Sequence, residues 1–334
     1  MPNSNKKPIF VHSLFRSGST YFFNVFRRST SGYYCYQEPL NEQLRWLNDD
    51  PEKLLEVDDI AAQSLRHPGL ERPYFWEFHQ IRDELRGLFE KSFCYDDFFV
   101  KDAQTLAENQ SKYFTSLISN SKGRPVFQFC RSTGRISALK DLYGGTHIHL
   151  WRHPHDQWWS FKINNYFDAA IRLIYNAHNL PSVLRLVKHQ CDISEYHDKY
   201  IEKEFEYARS HSFNADSNYF VFYAFWLYAF IESEKHSDIT ISIDRLSADY
   251  AYQSDIINAL AQLGVDNIDF SDCKIPQNFF SNAEKAFYEE IESRVLEIFL
   301  SCGYEKTLLD EAVKHYRIAP EKINLTHAPI ENSL

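Results

Sequence analysis

Glycine is scarce in this chain, with 10 residues in 334 where an average composition supplies about 7%. Collagen-like and low-complexity chains are thereby excluded, and each retained glycine marks a place where the backbone is asked to do something special. Paired cysteines are lacking too. Cys35, Cys94, Cys130, Cys191, Cys273 and Cys302 are scattered without a C-x-x-C pair, which argues against a zinc ribbon and a redox dithiol. Long apolar runs are absent. The longest uncharged apolar stretch, Tyr219–Ile231, spans as a helix only about 20 Å of the roughly 30 Å of a bilayer core, so it reads as a buried helix. The polar start with Lys6 and Lys7 leads into an apolar run broken by His12 and Ser13, unlike a secretory h-region. The expectation is a cytoplasmic protein without a membrane span. No repeat and no Pro/Gly/Ser-rich linker divides the chain, so one domain over 1–334 is expected, with 1–8 flexible and 318–334 a tail.

What is present is ordinary for a globular protein: 44% hydrophobic and 25% charged residues, with aromatics at 16%. The net charge of −10 argues against a nucleic-acid partner, because phosphate neutralisation needs clustered cations. That charge is unevenly spread. Residues 1–37 carry Lys6, Lys7, Arg16, Arg27 and Arg28 with no acid, and residues 121–155 carry six cations against Asp141 alone. The remainder holds −20, so two basic segments stand out from an acidic chain and suit a small, highly charged ligand in one local cleft.

Apolar runs at Ile9–His12, Tyr33–Tyr36, Phe98–Lys101, Val126–Cys130, Thr146–Trp151 and Ile239–Ile243 read as strands. Helices are expected at Tyr21–Arg28, Gln104–Ser121, Gly134–Tyr143, the aromatic run Tyr219–Ile231, Ile256–Leu263 and Glu284–Leu300. Strands separated by helices need crossovers, which predicts an α/β fold: three layers, with a central parallel sheet flanked by helices, like the P-loop NTPases. Residues 44–95 and 161–218 read as helical insertions.

The first strand runs straight into Arg16-Ser17-Gly18-Ser19-Thr20-Tyr21, and an amphipathic helix begins at once with Phe22, Val25 and Phe26 on one face. A small-residue loop at a helix N-terminus gathers backbone N–H groups and hydroxyls around an anion, and Arg16 supplies formal charge. Against the pattern G-x-x-x-x-G-K-[ST], Ser13 takes the first glycine's place, Gly18 and Thr20 fit, and Ser19 replaces the lysine that holds terminal phosphates. An ATP-dependent kinase would lack its main charge. A plain strand-to-helix turn is the bland alternative.

A second constellation follows the strand Thr146–Trp151. Arg152 stands at its carboxyl end, Pro154 opens the next helix, and Ser160 lies two turns along it. Ligands of open α/β sheets bind at the carboxyl ends of strands, so Arg152 and the Gly18 loop are expected to face one crevice. Arginine with a serine hydroxyl suits a dianionic phosphate.

Together these segments resemble the sulfotransferases that use 3'-phosphoadenosine 5'-phosphosulfate (PAPS), in their carbohydrate-type and bacterial branch. Arg16–Thr20 looks like that family's 5'-phosphosulfate loop, and Arg152 with Ser160 matches its 3'-phosphate motif. Tyr36-Gln37-Glu38-Pro39 resembles its Tyr-Glu-Pro, with Gln37 inserted. Ile241-Ser-Ile-Asp-Arg-Leu246 and Gly303-Tyr304 are similar to its later strand and C-terminal pair. The family usually has Arg-Asp-Pro where this chain has Arg152-His153-Pro154.

The resemblance implies PAPS as co-substrate, bound by Arg16, Ser17, Gly18, Ser19, Thr20 and Tyr21 at its 5' end and by Arg152 and Ser160 at its 3'-phosphate. It implies Glu38 as base and Arg16 as charge stabiliser, a hydroxyl on a carbohydrate, lipid or small molecule as acceptor, 3',5'-ADP as product and no metal. A P-loop kinase-like phosphotransferase and a catalytically inactive nucleotide- or glycan-binding protein are the alternatives. Glu38 could also be a plain loop acid before proline. His147, His149, His153 and His155 are crowded but lack an acidic or cysteine ligand at metal-like spacing. His12 reads as a packed strand histidine, with acceptor contact as its alternative. Lys101 and Arg131 stand at expected strand ends as weaker candidates for the cleft.

Overall fold

The computed structural model describes residues 7–56, 70–101 and 105–317. Five strands, β1 (Ile9–His12), β2 (Tyr33–Gln37), β3 (Arg124–Phe129), β4 (Thr146–Trp151) and β5 (Ile239–Ser242), form one sheet in the order β2-β3-β1-β4-β5. Every neighbouring pair is parallel, so each strand must be reached by a crossover. Helix α1 (Ser19–Arg27) joins β1 to β2, α2 (Glu108–Ser119) precedes β3, and α3 (Ile136–Tyr143) joins β3 to β4. After β4 come α4 (Pro154–Phe161), α5 (Tyr166–Tyr175), α6 (Ser182–Gln190), α7 (Ile201–Ser210) and α8 (Ala215–His236). Beyond β5 lie α9 (Ile243–Ala248), α10 (Tyr250–Gln262), α11 (Asn282–Ser301) and α12 (Lys306–Arg317).

The two-residue period of the strands sorts side chains onto two faces. Ile9 and Val11 of β1 join Phe22, Val25 and Phe26 of α1 and Ile241 of β5 in one apolar cluster, while Phe10 joins Tyr36, Phe127 and Phe129 in another. With helices on both faces, β1, β3 and β4 are buried along their whole length, as a central parallel sheet requires. The result is a three-layer α/β fold of P-loop-like architecture. Truncating Phe26, fully buried on the α1 stripe, should cost about 3–5 kcal/mol.

The aromatic run Tyr219–Ile231 is buried on every side within α8, and the polar tips of Tyr219, Tyr223 and Trp226 are bonded. Tyr219 donates to Glu292 Oε1 at 2.8 Å, and Tyr223 pairs with the Tyr316 hydroxyl at 2.7 Å. No helix among the described residues is long and apolar enough to cross a membrane.

One expected strand is absent. Phe98–Lys101 forms a bend in which the Phe98 and Phe99 rings lie 4.9 Å apart in one apolar cluster, whereas a strand would send them to opposite faces. The Val100 amide donates to Gly134 O at 3.2 Å instead of a strand partner. Residues 44–95 carry short helices at Trp46–Asp49, Trp76–His79 and Arg82–Leu85 between turns, and residues 161–218 carry α5, α6 and α7. They meet through Arg45 with Glu202 at 2.6 Å and Lys91 with Glu204 at 2.6 Å. The expected tail 318–334 and most of the expected flexible start 1–8 lie outside the described residues. All six cysteines are free thiols.

Candidate functional site

The turn from β1 to α1 is held by its own hydroxyls. Ser13 Oγ donates to Phe129 O at 2.7 Å, and Ser17 Oγ donates to Leu14 O at 2.7 Å. Ser17 is fully buried, so its hydroxyl is committed to the loop and only its amide can serve a ligand. Gly18 caps α1 with φ +82° and no side-chain hydrogen bond to the helix. The first intrahelical bond is Phe22 N to Gly18 O at 3.1 Å, which leaves the amides of Ser19, Thr20 and Tyr21 outside the helical ladder at its positive end. The Ser19 hydroxyl accepts from Cys130 Sγ at 3.5 Å. Burial pushes that thiol up to about 12, so it remains protonated beside the loop.

Backbone strain marks two positions. Of the five non-glycine residues described with positive φ, Asn179, Asp192 and Asn267 belong to the types that tolerate it. The other two are Arg16 at +64° and Glu38 at +43°. Each costs about 1–2 kcal/mol, and such strain is concentrated where a side chain must be aimed rather than merely packed.

Arg16 aims toward the second constellation. Its Nε donates to Ser160 Oγ at 2.9 Å, and its guanidinium lies 5.5 Å from the Phe167 ring centre. Arg152, at the carboxyl end of β4, donates through Nη1 to Arg16 O at 3.4 Å and through Nη2 to Pro276 O at 2.5 Å. The Gly18 loop, Arg152 and Ser160 thus come together as expected, with one difference in pairing. Ser160 touches Arg16 rather than Arg152, because the two-turn spacing from Pro154 lays its hydroxyl over the loop.

Arg152 Nε and Asp244 Oδ1 face each other at 3.6 Å, and both atoms are buried without a hydrogen-bond partner. Asp244 follows β5, where its other oxygen accepts from the His153 amide at 2.8 Å. Burial raises its carboxyl from 3.8 to about 6, against the pull of Arg152 and the His153 amide. The segment 269–281 covers the loop from outside: Ile275 lies against Gly18, and Asp272 accepts from Tyr21 Oη at 2.8 Å and from both Arg28 Nη atoms. Tyr21, expected as a ligand-binding residue, has its hydroxyl engaged there, so its amide is what it offers the loop.

Glu38 stands just past β2, its amide bonded to Gln128 O at 2.7 Å. Its Oε1 accepts from Tyr74 Oη at 3.0 Å, and its Oε2 accepts from Asn41 Nδ2 at 3.2 Å and from Arg131 Nη1. Arg131, just past β3, is 1% exposed and reaches Glu42 Oε2 at 2.7 Å and Tyr166 Oη at 2.7 Å through Nη2. Burial opposes its charge, yet the oxygens of Tyr166, Tyr95, Glu42 and Glu38 outweigh it and hold its pKa above the ordinary arginine value. The Arg131 guanidinium also lies 4.8 Å from the Phe15 ring centre, so this network touches the residue that precedes Arg16. Sequence ranked Arg131 low and gave Glu42 and Tyr166 no role, since they lie 89 and 124 positions from their partners. Lys101, the other strand-end candidate, is exposed in a bend.

His12 and His147 are locked into the sheet. His147 Nε2 bonds Gly144 O at 3.1 Å, His147 Nδ1 meets His12 Nε2 at 2.9 Å, and His12 Nδ1 meets Ser132 Oγ at 2.8 Å. Burial pushes His147 down to about 4 and His12 well below its usual range, so both are neutral at pH 7. Because Gly144 O only accepts, the protons must run from Ser132 to His12 to His147. His12 is therefore a cross-strand pin and is occupied on both nitrogens. Among the described residues the group with metal-like spacing is Asp96, His197 and Glu204. The Lys91 ammonium already bridges Asp96 at 2.8 Å and Glu204 at 2.6 Å, which fills the place of a cation.

The arrangement offers a cluster of amides and an arginine at a helix start, a second arginine at the next strand end and a carboxylate two strands away. It can bind a doubly anionic ligand and accept a proton beside it. Comparison of the chain with protein-family models, with curated proteins and with solved structures finds no match in any of the three.

Proposed function

We propose that the protein is a sulfotransferase that moves the sulfuryl group of PAPS to a hydroxyl acceptor. The observation that supports this reading best is the 2.9 Å contact of Arg16 Nε with Ser160 Oγ, which joins the two anion motifs across 144 positions at one sheet edge. In this reading the amides of Gly18–Tyr21 and the Arg16 guanidinium take the 5'-phosphosulfate, and Arg152 takes the 3'-phosphate in place of its bond to Pro276 O. The acceptor oxygen bonds to sulfur as the bond from sulfur to the 5'-phosphate oxygen breaks. The electron pair leaves with 3',5'-ADP, where Arg16 and the loop amides stabilise the growing charge. The acceptor proton passes to Glu38, whose Oε1 accepts from Tyr74 Oη at 3.0 Å and keeps a second lone pair.

A kinase-like phosphotransferase is the weaker alternative. Metal-bound nucleoside triphosphates need an acid at a strand end to hold magnesium and a lysine in the loop. Here β3 and β4, the strands beside β1, are followed by Arg131 and Arg152, the acids that follow β2 and β5, Glu38 and Asp244, face those same arginines, and Ser19 stands at the lysine position. Thermal shift without magnesium separates the readings: 3',5'-ADP is expected to raise the melting temperature, and ATP far less. Stabilisation by magnesium ATP alone would favour the kinase, and no response to 3',5'-ADP would remove the sulfotransferase reading.

A further inference from the structure

The buried charges around Glu38 do not balance. Arg131 is one cation between two carboxylates, Glu38 and Glu42, and the three side chains are 1%, 10% and 8% exposed. Its two terminal nitrogens are divided between them, Nη1 to Glu38 and Nη2 to Glu42. Tyr166 reinforces the second half: its hydroxyl donates to Glu42 Oε1 at 2.8 Å and accepts from Arg131 Nη2 at 2.7 Å. A buried ion pair gives up its desolvation cost only when each charge is matched. With both carboxylates ionised the trio carries one excess negative charge. Once Glu38 takes a proton, Arg131 and Glu42 remain as a neutral pair with all of their geometry intact.

We infer that Glu42 is a positioning residue that makes Glu38 a usable base. It supplies the counter-charge that Arg131 would otherwise draw wholly from Glu38. Without Glu42 the guanidinium would hold Glu38 as its sole carboxylate partner, and an opposite charge within about 4–6 Å makes a carboxylate harder to protonate. Arg131 can therefore fix the orientation of Glu38, which its strained backbone also serves, without quenching its basicity. The other groups facing this site keep the balance as described: Tyr74 donates to Glu38, Tyr95 accepts from Arg131 at 3.1 Å, and the Cys130 thiol is neutral. The inference deepens the sulfuryl-transfer reading, since it concerns the proton of that reaction, but the coupling itself belongs to the unliganded protein.

The test is infrared difference spectroscopy across pH on the full chain, with Glu38→Gln used to assign the protonated-carboxyl band of Glu38. The expected result is that in Glu42→Gln this band appears about one pH unit lower than in wild type, that Glu42→Asp restores at least half of the shift, and that Tyr166→Phe gives a smaller shift of the same sign. An unmoved band, or one moved to higher pH, would overturn the inference. A merely structural role for Glu42 would lower stability without moving the band. Calorimetric titration of the same proteins with 3',5'-ADP provides the separate arm. Equal binding by wild type and Glu42→Gln is expected, and absence of binding by all of them would sink the sulfuryl-transfer reading while leaving the carboxylate coupling intact.

Discussion

Replacing Gly18 by alanine probes the anion loop where sequence and geometry meet. Gly18 sits at φ +82°, and a Cβ added there would lie 2.7 Å from Ile243 Cγ1, 3.4 Å from Ile243 Cδ1 and 3.5 Å from Ile275 Cδ1. The backbone conformation costs an alanine about 1–2 kcal/mol. Ile243 opens α9 and is fully buried, so it cannot swing aside, and overpacking adds about 1–3 kcal/mol. The sum is about 2–5 kcal/mol of lost stability in urea unfolding. A double-mutant cycle with Ile243→Ala separates the two causes. The steric part should appear as a coupling of about 1–3 kcal/mol, and the backbone part of about 1–2 kcal/mol should persist in the double mutant. In calorimetry with 3',5'-ADP, Gly18→Ala should bind at least about tenfold more weakly, since roughly 1.4 kcal/mol of displaced amide contacts suffices. Wild-type stability together with zero coupling to Ile243 would refute the loop geometry on which the site rests.

Arg152→Ala should abolish the preference for 3',5'-ADP over 5'-AMP while leaving 5'-AMP binding within about threefold, because the residue is assigned to the 3'-phosphate alone; equal losses for both nucleotides would reject that assignment. Glu38→Gln should keep 3',5'-ADP affinity and lower sulfuryl transfer by about 10²–10⁴-fold, and a variant with normal turnover would place the base elsewhere. The pH dependence of stability carries two opposed contributions. His147 is lowered by burial to about 4, and His149 and His153 likewise to about 3, all from 6.5. They stabilise the fold above pH 6.5 and withdraw that support as pH falls. Asp244, raised from 3.8 to about 6, stabilises the fold below 3.8 and loses that contribution as pH rises through 6, on the order of 3 kcal/mol. Urea midpoints should therefore fall from pH 6.5 to 4 in wild type, and fall more steeply in Asp244→Asn; identical profiles would contradict the burial of Asp244.

Local patterns in the sequence carried the sheet and the loop. Thr146–Trp151 matches β4 residue for residue because Gly144-Gly145 and Pro154 bracket it, and the Arg16–Tyr21 turn is legible because strand, small residues and helix follow one another without a gap. Phe98–Lys101 misled because a short apolar run without alternation does not report its own geometry. The Glu38 network was beyond a linear reading. Arg131 draws its partners from residues 36, 89 and 93 positions away, and no periodicity encodes which buried arginine will meet which acid. The positive φ of Glu38 was equally hidden, since no glycine announces it. Ser160 falls between these cases. Its place on α4 followed from Pro154, while its partner, Arg16, depended on how α4 packs over the loop.

Incubating wild-type protein with sulfur-35-labelled PAPS and a lysate as acceptor source, followed by mass spectrometry of labelled products, shows whether sulfuryl transfer occurs. A labelled product should appear with wild type and disappear with Arg16→Ala and Glu38→Gln. Equal labelling by the variants, or no labelled product from a wild-type protein that binds 3',5'-ADP, would contradict the sulfuryl-transfer reading.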